Sequence, residues 1–73
     1  MRKQNYEVTF YDEEGMEVKE NKYLYTPEAV VWYVSLMPHQ TESIKVETQR
    51  DRSTLKVTVG DDTMNIIKDF LRI

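Results

Sequence analysis

The sequence has no cysteine among its 73 residues, and it has only two glycines, two prolines and one histidine. Without cysteine it can form neither disulfides nor thiolate zinc sites, which stabilise many very small domains. Nowhere do about 18 apolar residues follow one another, as a membrane-spanning helix requires. The start, Met1 to Tyr6, has two basic residues but no apolar stretch behind them, unlike a secretory signal. We therefore expect a cytoplasmic protein without membrane contact.

The short length predicts a single domain, residues 1–73, with a small hydrophobic core. A chain of this size buries only about 60% of the surface that it exposes when unfolded. Association with a second copy or with a permanent partner would add stability that the core alone supplies only in part. A homodimer is therefore a reasonable expectation.

The net charge of −3 is unevenly distributed along the chain. Residues 7–47 contain nine acidic residues and three lysines, a net charge of −6, whereas residues 48–73 carry +1. Direct binding to nucleic acid is disfavoured, because neutralising phosphates requires a basic surface. The acidic surface either keeps the protein soluble or imitates a phosphate backbone.

The first part of the chain predicts a β-hairpin. Apolar and polar residues alternate from Tyr6 to Tyr11, which is typical of a half-buried strand. Asp12 to Gly15 then predicts a turn whose three acidic side chains are solvated rather than arranged for calcium. A second strand is expected from Met16 to Tyr25, with Met16 and Val18 facing inward. Its middle is fully polar, which predicts a bulge, a protruding end or a sheet edge.

A helix is predicted to follow this hairpin. Thr26-Pro27-Glu28 combines a hydroxyl N-cap, a proline in the first turn and an acid near the positive end of the helix dipole. The helix runs from Ala29 to Met37, before Pro38. One apolar stripe can cover the sheet; it comprises Val30, Tyr33, Val34 and Met37. Trp32 and Leu36, together with Ala29, lie on other stripes and leave a surface that needs a partner.

The second part of the chain repeats this order of elements. Alternating residues predict a third strand over Ile44–Thr48 and a fourth over Leu55–Val59, joined by the polar residues 49–53. Gly60-Asp61-Asp62 is expected to end the fourth strand and cap a second helix. Its buried face comprises Met64, Ile67, Phe70 and Leu71, with Ile66 beside it. The predicted fold class is α+β: ββα-ββα, a four-stranded antiparallel sheet with two helices on one face.

Catalytic groups are almost missing from this sequence. His39 is the single histidine and lies in a loop after Pro38, where a histidine is usually a surface residue. None of the serines has a nucleophile-elbow context, and no glycine-rich phosphate loop is present. Asp61 and Asp62 are explained by the helix cap. We therefore expect no enzymatic activity, no metal site and no cofactor, and a function in protein binding.

One resemblance gives this binding function a direction. Tyr6-Glu7-Val8-Thr9, the acidic turn at Gly15, the capped helix and Glu42-Ser43-Ile44-Lys45 together resemble the small uracil-DNA glycosylase inhibitors of phages and mobile elements. The resemblance covers roughly the first two thirds of the chain. It implies a protein that mimics DNA, with acidic groups in place of phosphates. It also implies an apolar pocket for the side chain that the glycosylase inserts into the base stack.

The resemblance also implies which residues bind the partner. Glu42 and Ser43 match the Glu-Ser pair of that family, which hydrogen-bonds the phosphate-gripping loops of the enzyme. Glu28 or Glu47 would add negative groups. The apolar pocket would come from the first helix, through Val31, Trp32 and Tyr33.

Two other classes of function stay open at the sequence level. An inhibitor of a different nucleic-acid enzyme from a phage or plasmid, such as an anti-CRISPR protein, would have the same acidity and size. A non-catalytic, self-assembling interaction module would use the surface around Trp32 and need no acidic cluster. Replacing Glu42 by lysine separates these classes, because inhibition by mimicry would be lost whereas self-assembly would survive.

Overall fold

The structure, a computed structural model, describes residues 5–73. Arg2 and Lys3, and with them the expectation about a signal sequence, lie outside the described residues. Along the chain the elements follow as β1 (Tyr6–Tyr11), β2 (Lys22–Leu24), α1 (Pro27–Ser35), β3 (Ser43–Thr48), β4 (Thr54–Thr58) and α2 (Thr63–Leu71). The predicted α+β class and the ββα-ββα order are confirmed. In this range neither helix has the length and apolar character needed to cross a bilayer.

The strands form one antiparallel sheet in the order β2-β1-β3-β4. Each ββα unit therefore contributes one central strand and one edge strand. Val8 on β1 lies opposite Val46 on β3, and Val46 in turn lies opposite Leu55 on β4. Since the side-chain period of a strand is two, this register places the alternating apolar residues of the strands on the same face.

Both helices cover that apolar face. α1 packs against β1 and β2, whereas α2 packs against β4 and α1. The core is one cluster of buried side chains drawn from every strand and both helices: Tyr6, Val8, Phe10, Leu24, Val30, Tyr33, Val34, Ile44, Val46, Val57, Ile67 and Leu71. At its centre the rings of Phe10 and Tyr33 stack with their centroids 5.2 Å apart.

β2 is much shorter than the predicted strand from Met16 to Tyr25. After the turn, only an isolated bridge between Tyr11 and Glu17 continues the pairing, and regular strand returns at Lys22. Tyr11 and Val8 are three residues apart on β1, whereas their partners Glu17 and Lys22 on the neighbouring segment are five residues apart. Two extra residues therefore bulge out of this edge, as the polar middle of the segment predicted.

The expected inward direction of Met16 is wrong, whereas that of Val18 is confirmed. Met16 is 62% exposed because it closes the turn, where its carbonyl accepts from the amide of Asp12 at 2.9 Å. Val18 donates its amide to Phe10 at 2.9 Å and packs against the core. Gly15 has φ +83°, which favours glycine and gives the turn its direction.

The two helices begin in different ways. Thr26 caps α1 as predicted, and its Oγ1 accepts from the amide of Ala29 at 3.0 Å. Asp62 lies at the N-cap position of α2 but makes no side-chain cap bond. Instead Thr63, inside the helix, accepts from the amide of Gly60 at 2.6 Å and donates to the carbonyl of Thr58 at 3.3 Å. The buried side chain of Thr63 thus stabilises the connection between β4 and α2, a role that the Asp61-Asp62 pattern did not predict.

Candidate functional site

The end of β1 forms a rigid acidic turn. One carboxylate oxygen of Asp12 accepts from the amides of Glu14 at 2.9 Å and Met16 at 3.0 Å. The amide of Gly15 donates to the carbonyl of Asp12 at 3.0 Å. Asp12 therefore holds the turn through its own side chain, as short acidic side chains commonly do. The side chains of Glu13 and Glu14 are left exposed to solvent.

Glu42 is fixed beside this turn by its main chain. Its amide donates to the carbonyl of Tyr11 at 2.7 Å, and its carbonyl accepts from the amide of Val59 at 2.8 Å. Glu42 therefore lies at the end of the sheet, between the end of β1 and the residue that follows β4. Its own side chain is exposed. Ser43, the next residue, opens β3 opposite Tyr11 and is half-buried.

These two segments line a shallow cleft of about 500 Å³, which we call the acidic cleft. Its lining comes from the β1–β2 turn and from the loop before β3: Asp12, Glu13, Glu14, His39, Gln40, Thr41 and Glu42. Four carboxylates from segments about 30 residues apart thus share one surface. Within residues 5–73 no group of three or more acidic, histidine or cysteine side chains is arranged to hold a metal ion. The carboxylates of its lining make the cleft suited to contact with positive groups of a partner.

The other predicted acidic contacts lie elsewhere. Glu47 is on the sheet face opposite the helices, directly across from Glu7. It is five residues from Glu42, roughly 16 Å along an extended strand. The carboxylate of Glu7 accepts from the side-chain amide of Asn21. Glu47 thus belongs to a mixed sheet surface that also carries Lys45, and not to the acidic cleft.

Glu28 lies at the opposite end of the molecule from Glu42. It is in the first turn of α1, close enough to Tyr6 for its charge to act on the phenol. Burial raises the pKa of Tyr6, and the negative charge of Glu28 raises it further, while Arg50 lowers it and Asp51 raises it. The structure therefore does not bring Glu28, Glu42 and Glu47 together in one set.

The three predicted pocket residues of α1 are in three different environments. Tyr33 is only 6% exposed and stacks on Phe10 inside the core. Val31 is half-buried, whereas Trp32 is 56% exposed. The ammonium groups of Lys19 and Lys22 lie 5.1 and 5.6 Å from the centre of the Tyr33 ring. The centre of the exposed Trp32 ring lies 6.4 Å from the centre of the same Tyr33 ring.

The sequence patterns did not predict that the acidic turn lies beside Glu42. The local hairpin pattern predicts only that the acidic side chains of the turn are solvated. The signal was the antiparallel pairing of β1 with β3, which places the end of one strand beside the start of the other. Comparisons with protein-family models, curated proteins and solved structures found no match.

Proposed function

We propose that this protein is a non-catalytic inhibitor that mimics DNA and occludes the DNA groove of a host DNA-processing enzyme, most specifically uracil-DNA glycosylase. The observation that carries the proposal is the acidic cleft, in which four carboxylates from two distant segments share one end of the sheet. A DNA-binding groove is basic, so such a surface accelerates the encounter and selects the partner. The protein would act in the cytoplasm of the host cell and need no cofactor.

Two features make the acidic cleft suitable for this role. The Asp12 carboxylate is engaged by main-chain amides and keeps the turn in shape, which leaves Glu13, Glu14 and Glu42 to meet a partner. Glu42 is held on both sides by main-chain hydrogen bonds to Tyr11 and Val59. Contact groups on a fixed backbone lose less conformational entropy when they bind, which favours affinity.

The test is uracil excision by a bacterial uracil-DNA glycosylase, titrated with the protein at low and moderate salt. The wild type should inhibit at about one molecule per enzyme, less effectively as salt screens the charges. The triple variant Glu13→Gln, Glu14→Gln, Glu42→Gln should weaken inhibition roughly 100-fold, if each of three charged contacts contributes about 1 kcal/mol.

The matched control removes the same charge elsewhere. Glu20, Asp61 and Asp69 are exposed and lie outside the acidic cleft, so their replacement by Gln, Asn and Asn should change inhibition only slightly. Equal losses of inhibition in both triple variants would mean that net charge alone determines inhibition, and would contradict a specific site. Undiminished inhibition by the cleft variant would contradict the mimic mechanism.

The single variants Glu28→Gln and Glu47→Gln decide whether the outlying acidic residues take part. Neither residue lines the acidic cleft, so we expect each variant to inhibit like the wild type. Absence of any inhibition by the wild-type protein at large excess would exclude uracil-DNA glycosylase. The same pair of triple variants, applied to a CRISPR nuclease or another nucleic-acid enzyme, would then test the alternative targets.

A further inference from the structure

Exposed apolar side chains concentrate on one edge of the molecule. Of the seven large apolar residues that are most exposed in residues 5–73, four lie between positions 23 and 36, in or directly after β2 and α1: Tyr23, Tyr25, Trp32 and Leu36. Trp32 and Leu36 are one helical turn apart and each more than half exposed. Tyr23 lies opposite Glu7 and faces the side of the sheet away from the helices, so Trp32 and Leu36 on one side and Tyr23 on the other flank the open edge of β2. Exposed apolar side chains beside an unpaired strand edge are typical of an interaction site.

The main-chain hydrogen bonds show which way each residue of β1 points. The carbonyl of Phe10 accepts from the amide of Val18, on the β2 side. The carbonyl of Tyr11 accepts from the amide of Glu42, on the β3 side. Because these directions alternate along a strand, even-numbered residues of β1 bond towards β2 and odd-numbered residues towards β3.

It follows that β2 offers an outward-facing peptide group. Tyr6 and Val8 are the even-numbered residues paired with β2, and their partners are Leu24 and Lys22. Those two partners turn their N–H and C=O groups towards β1. The N–H and C=O of Tyr23 between them therefore point away from β1, towards the open edge, where another strand can pair with them.

A second copy of the same strand fits this edge. If β2 pairs antiparallel with itself about Tyr23, the two Tyr23 residues exchange a pair of main-chain hydrogen bonds. The register then places Lys22 opposite Leu24 of the second copy, so that the two lysines do not face each other. Antiparallel pairing also brings the segment before β2, which carries Lys19, alongside the segment after β2 of the second copy, which leads to Glu28. Opposite charges therefore lie on neighbouring parts of the two copies, which favours a second copy as the occupant.

The same pairing of β2 strands would place the two α1 helices at a distance at which helices pack. α1 packs over β1 and β2, and Lys19 and Lys22 beside Tyr33 mark the flank of α1 that faces the open edge. Leu36 lies three residues after Tyr33, on that flank. Pairing of the two β2 strands would separate the α1 axes by two strand spacings, about 9.6 Å. Packed helices are about 8–10 Å apart, so Trp32 and Leu36 of both copies would lie between them.

We infer that the protein forms a two-fold symmetric homodimer in which the β2 strands pair to give one eight-stranded sheet and the α1 helices pack through Trp32 and Leu36. Tyr23, Trp32 and Leu36 are each about half exposed and contribute roughly 100 Å² each, so the two copies together bury about 600 Å² through these side chains, the size of a weak, concentration-dependent association. The acidic cleft lies at the end of the β1–β2 hairpin rather than along its edge and stays open. The dimer therefore does not depend on the proposed inhibition.

The experiment measures the mass of the full-length protein by sedimentation equilibrium over a concentration series, for the wild type and for two matched proline variants. Tyr23→Pro removes the outward N–H of β2 and leaves the β1–β2 hydrogen bonds intact, a position where an edge strand tolerates proline. By the same alternation, the amide of Lys56 points outward from β4, so Lys56→Pro is the control on the opposite edge. Amide NMR spectra establish that each variant is folded.

We expect the wild type and Lys56→Pro to approach twice the chain mass of 8.8 kDa with increasing concentration, and Tyr23→Pro to stay monomeric. A second pair of variants tests the helix contact: Leu36→Glu should dissociate the dimer, whereas Ile66→Glu on α2 should not. The amide of Tyr23 should also exchange more slowly with solvent as protein concentration rises. A monomeric wild type at every concentration, a dimeric folded Tyr23→Pro, or loss of the dimer in Lys56→Pro would each overturn the assignment.

Discussion

The two ββα units have the same order of elements but use their side chains differently. In the first unit, β2 is reduced to three residues after a bulge, α1 leaves Trp32 and Leu36 exposed, and the β1–β2 turn carries clustered acidic residues. In the second unit, β3 and β4 form a regular hairpin and α2 buries Ile67 completely. The second unit therefore serves mainly the core, whereas the first supplies seven of the twelve buried apolar residues and also most of the two surfaces available for binding.

The largest expected effect tests whether the two units share one core. Phe10 belongs to the first unit, is almost fully buried and stacks on Tyr33. Phe10→Ala should lower the free energy of unfolding by about 3–5 kcal/mol, most of the stability of a domain of this size. Urea unfolding followed by both Trp32 fluorescence and far-UV circular dichroism should still give a single transition.

Ile66→Ala serves as the control for that measurement. Ile66 is on α2 and partly exposed, so its truncation should cost less than about 1 kcal/mol. If Phe10→Ala left α2 folded, with fluorescence and circular dichroism changing at different urea concentrations, the two units would be separate folding units and the shared core would be refuted.

An intermediate effect compares the two helix starts. Thr63→Val should cost about 1–3 kcal/mol, because it leaves the amide of Gly60 without its acceptor in a part-buried site. Thr26→Ala should cost about 1 kcal/mol, the usual value for an exposed hydroxyl N-cap. Asp62→Ala should cost no more than about 0.5 kcal/mol, since only its charge near the helix dipole is lost. Thermal unfolding ranks the three, and a larger loss for Asp62 than for Thr63 would reverse the interpretation of α2.

The smallest expected effect is a dependence of stability on alkaline pH. Burial and the charge of Glu28 raise the pKa of Tyr6 in the folded protein above the value of about 10 in the unfolded chain. The folded state therefore keeps this proton more tightly, and its contribution is complete below pH 10 and is lost as pH rises above it. Urea unfolding at a series of alkaline pH values should show a shallower decline for Tyr6→Phe than for the wild type. Tyr23→Phe, at an exposed position, should decline like the wild type.

Local patterns were sufficient to predict the type and order of the elements. Alternation from Tyr6 to Tyr11 predicted β1 with its observed bounds, and Thr26-Pro27 predicted the start of α1. Both signals act within a few residues, through the side-chain period of a strand and the unpaired amides of a helix start. The exposed stripe of α1 was also predicted, because a helix that is apolar on several sides cannot bury all of them against one sheet.

The features that sequence reasoning missed depend on long-range contacts. β2 is shortened by two residues that bulge out of the edge, and the Lys19 and Lys22 ammonium groups beside this bulge contact Tyr33 from α1, which no local pattern contains. The role of Thr63 depends on the carbonyl of Thr58 at the end of β4. Of the acidic cleft, the resemblance names Glu42 as a partner-binding residue. It includes the acidic turn but gives it no binding role, because the position of the turn beside Glu42 follows only from the pairing of β1 with β3.

The pairing of the two central strands also determines when the chain can fold during its synthesis. Its residue pairs are far apart in sequence, with Tyr11 opposite Ser43 and Tyr6 opposite Thr48. Closing so long a loop costs entropy before any contact offsets it, so this step should limit the folding rate. A ribosome delivers β1, β2 and α1 before β3 exists. During translation the side of β1 that pairs with β3 therefore stays unpaired, and the native sheet can form only after Thr48 has left the exit tunnel.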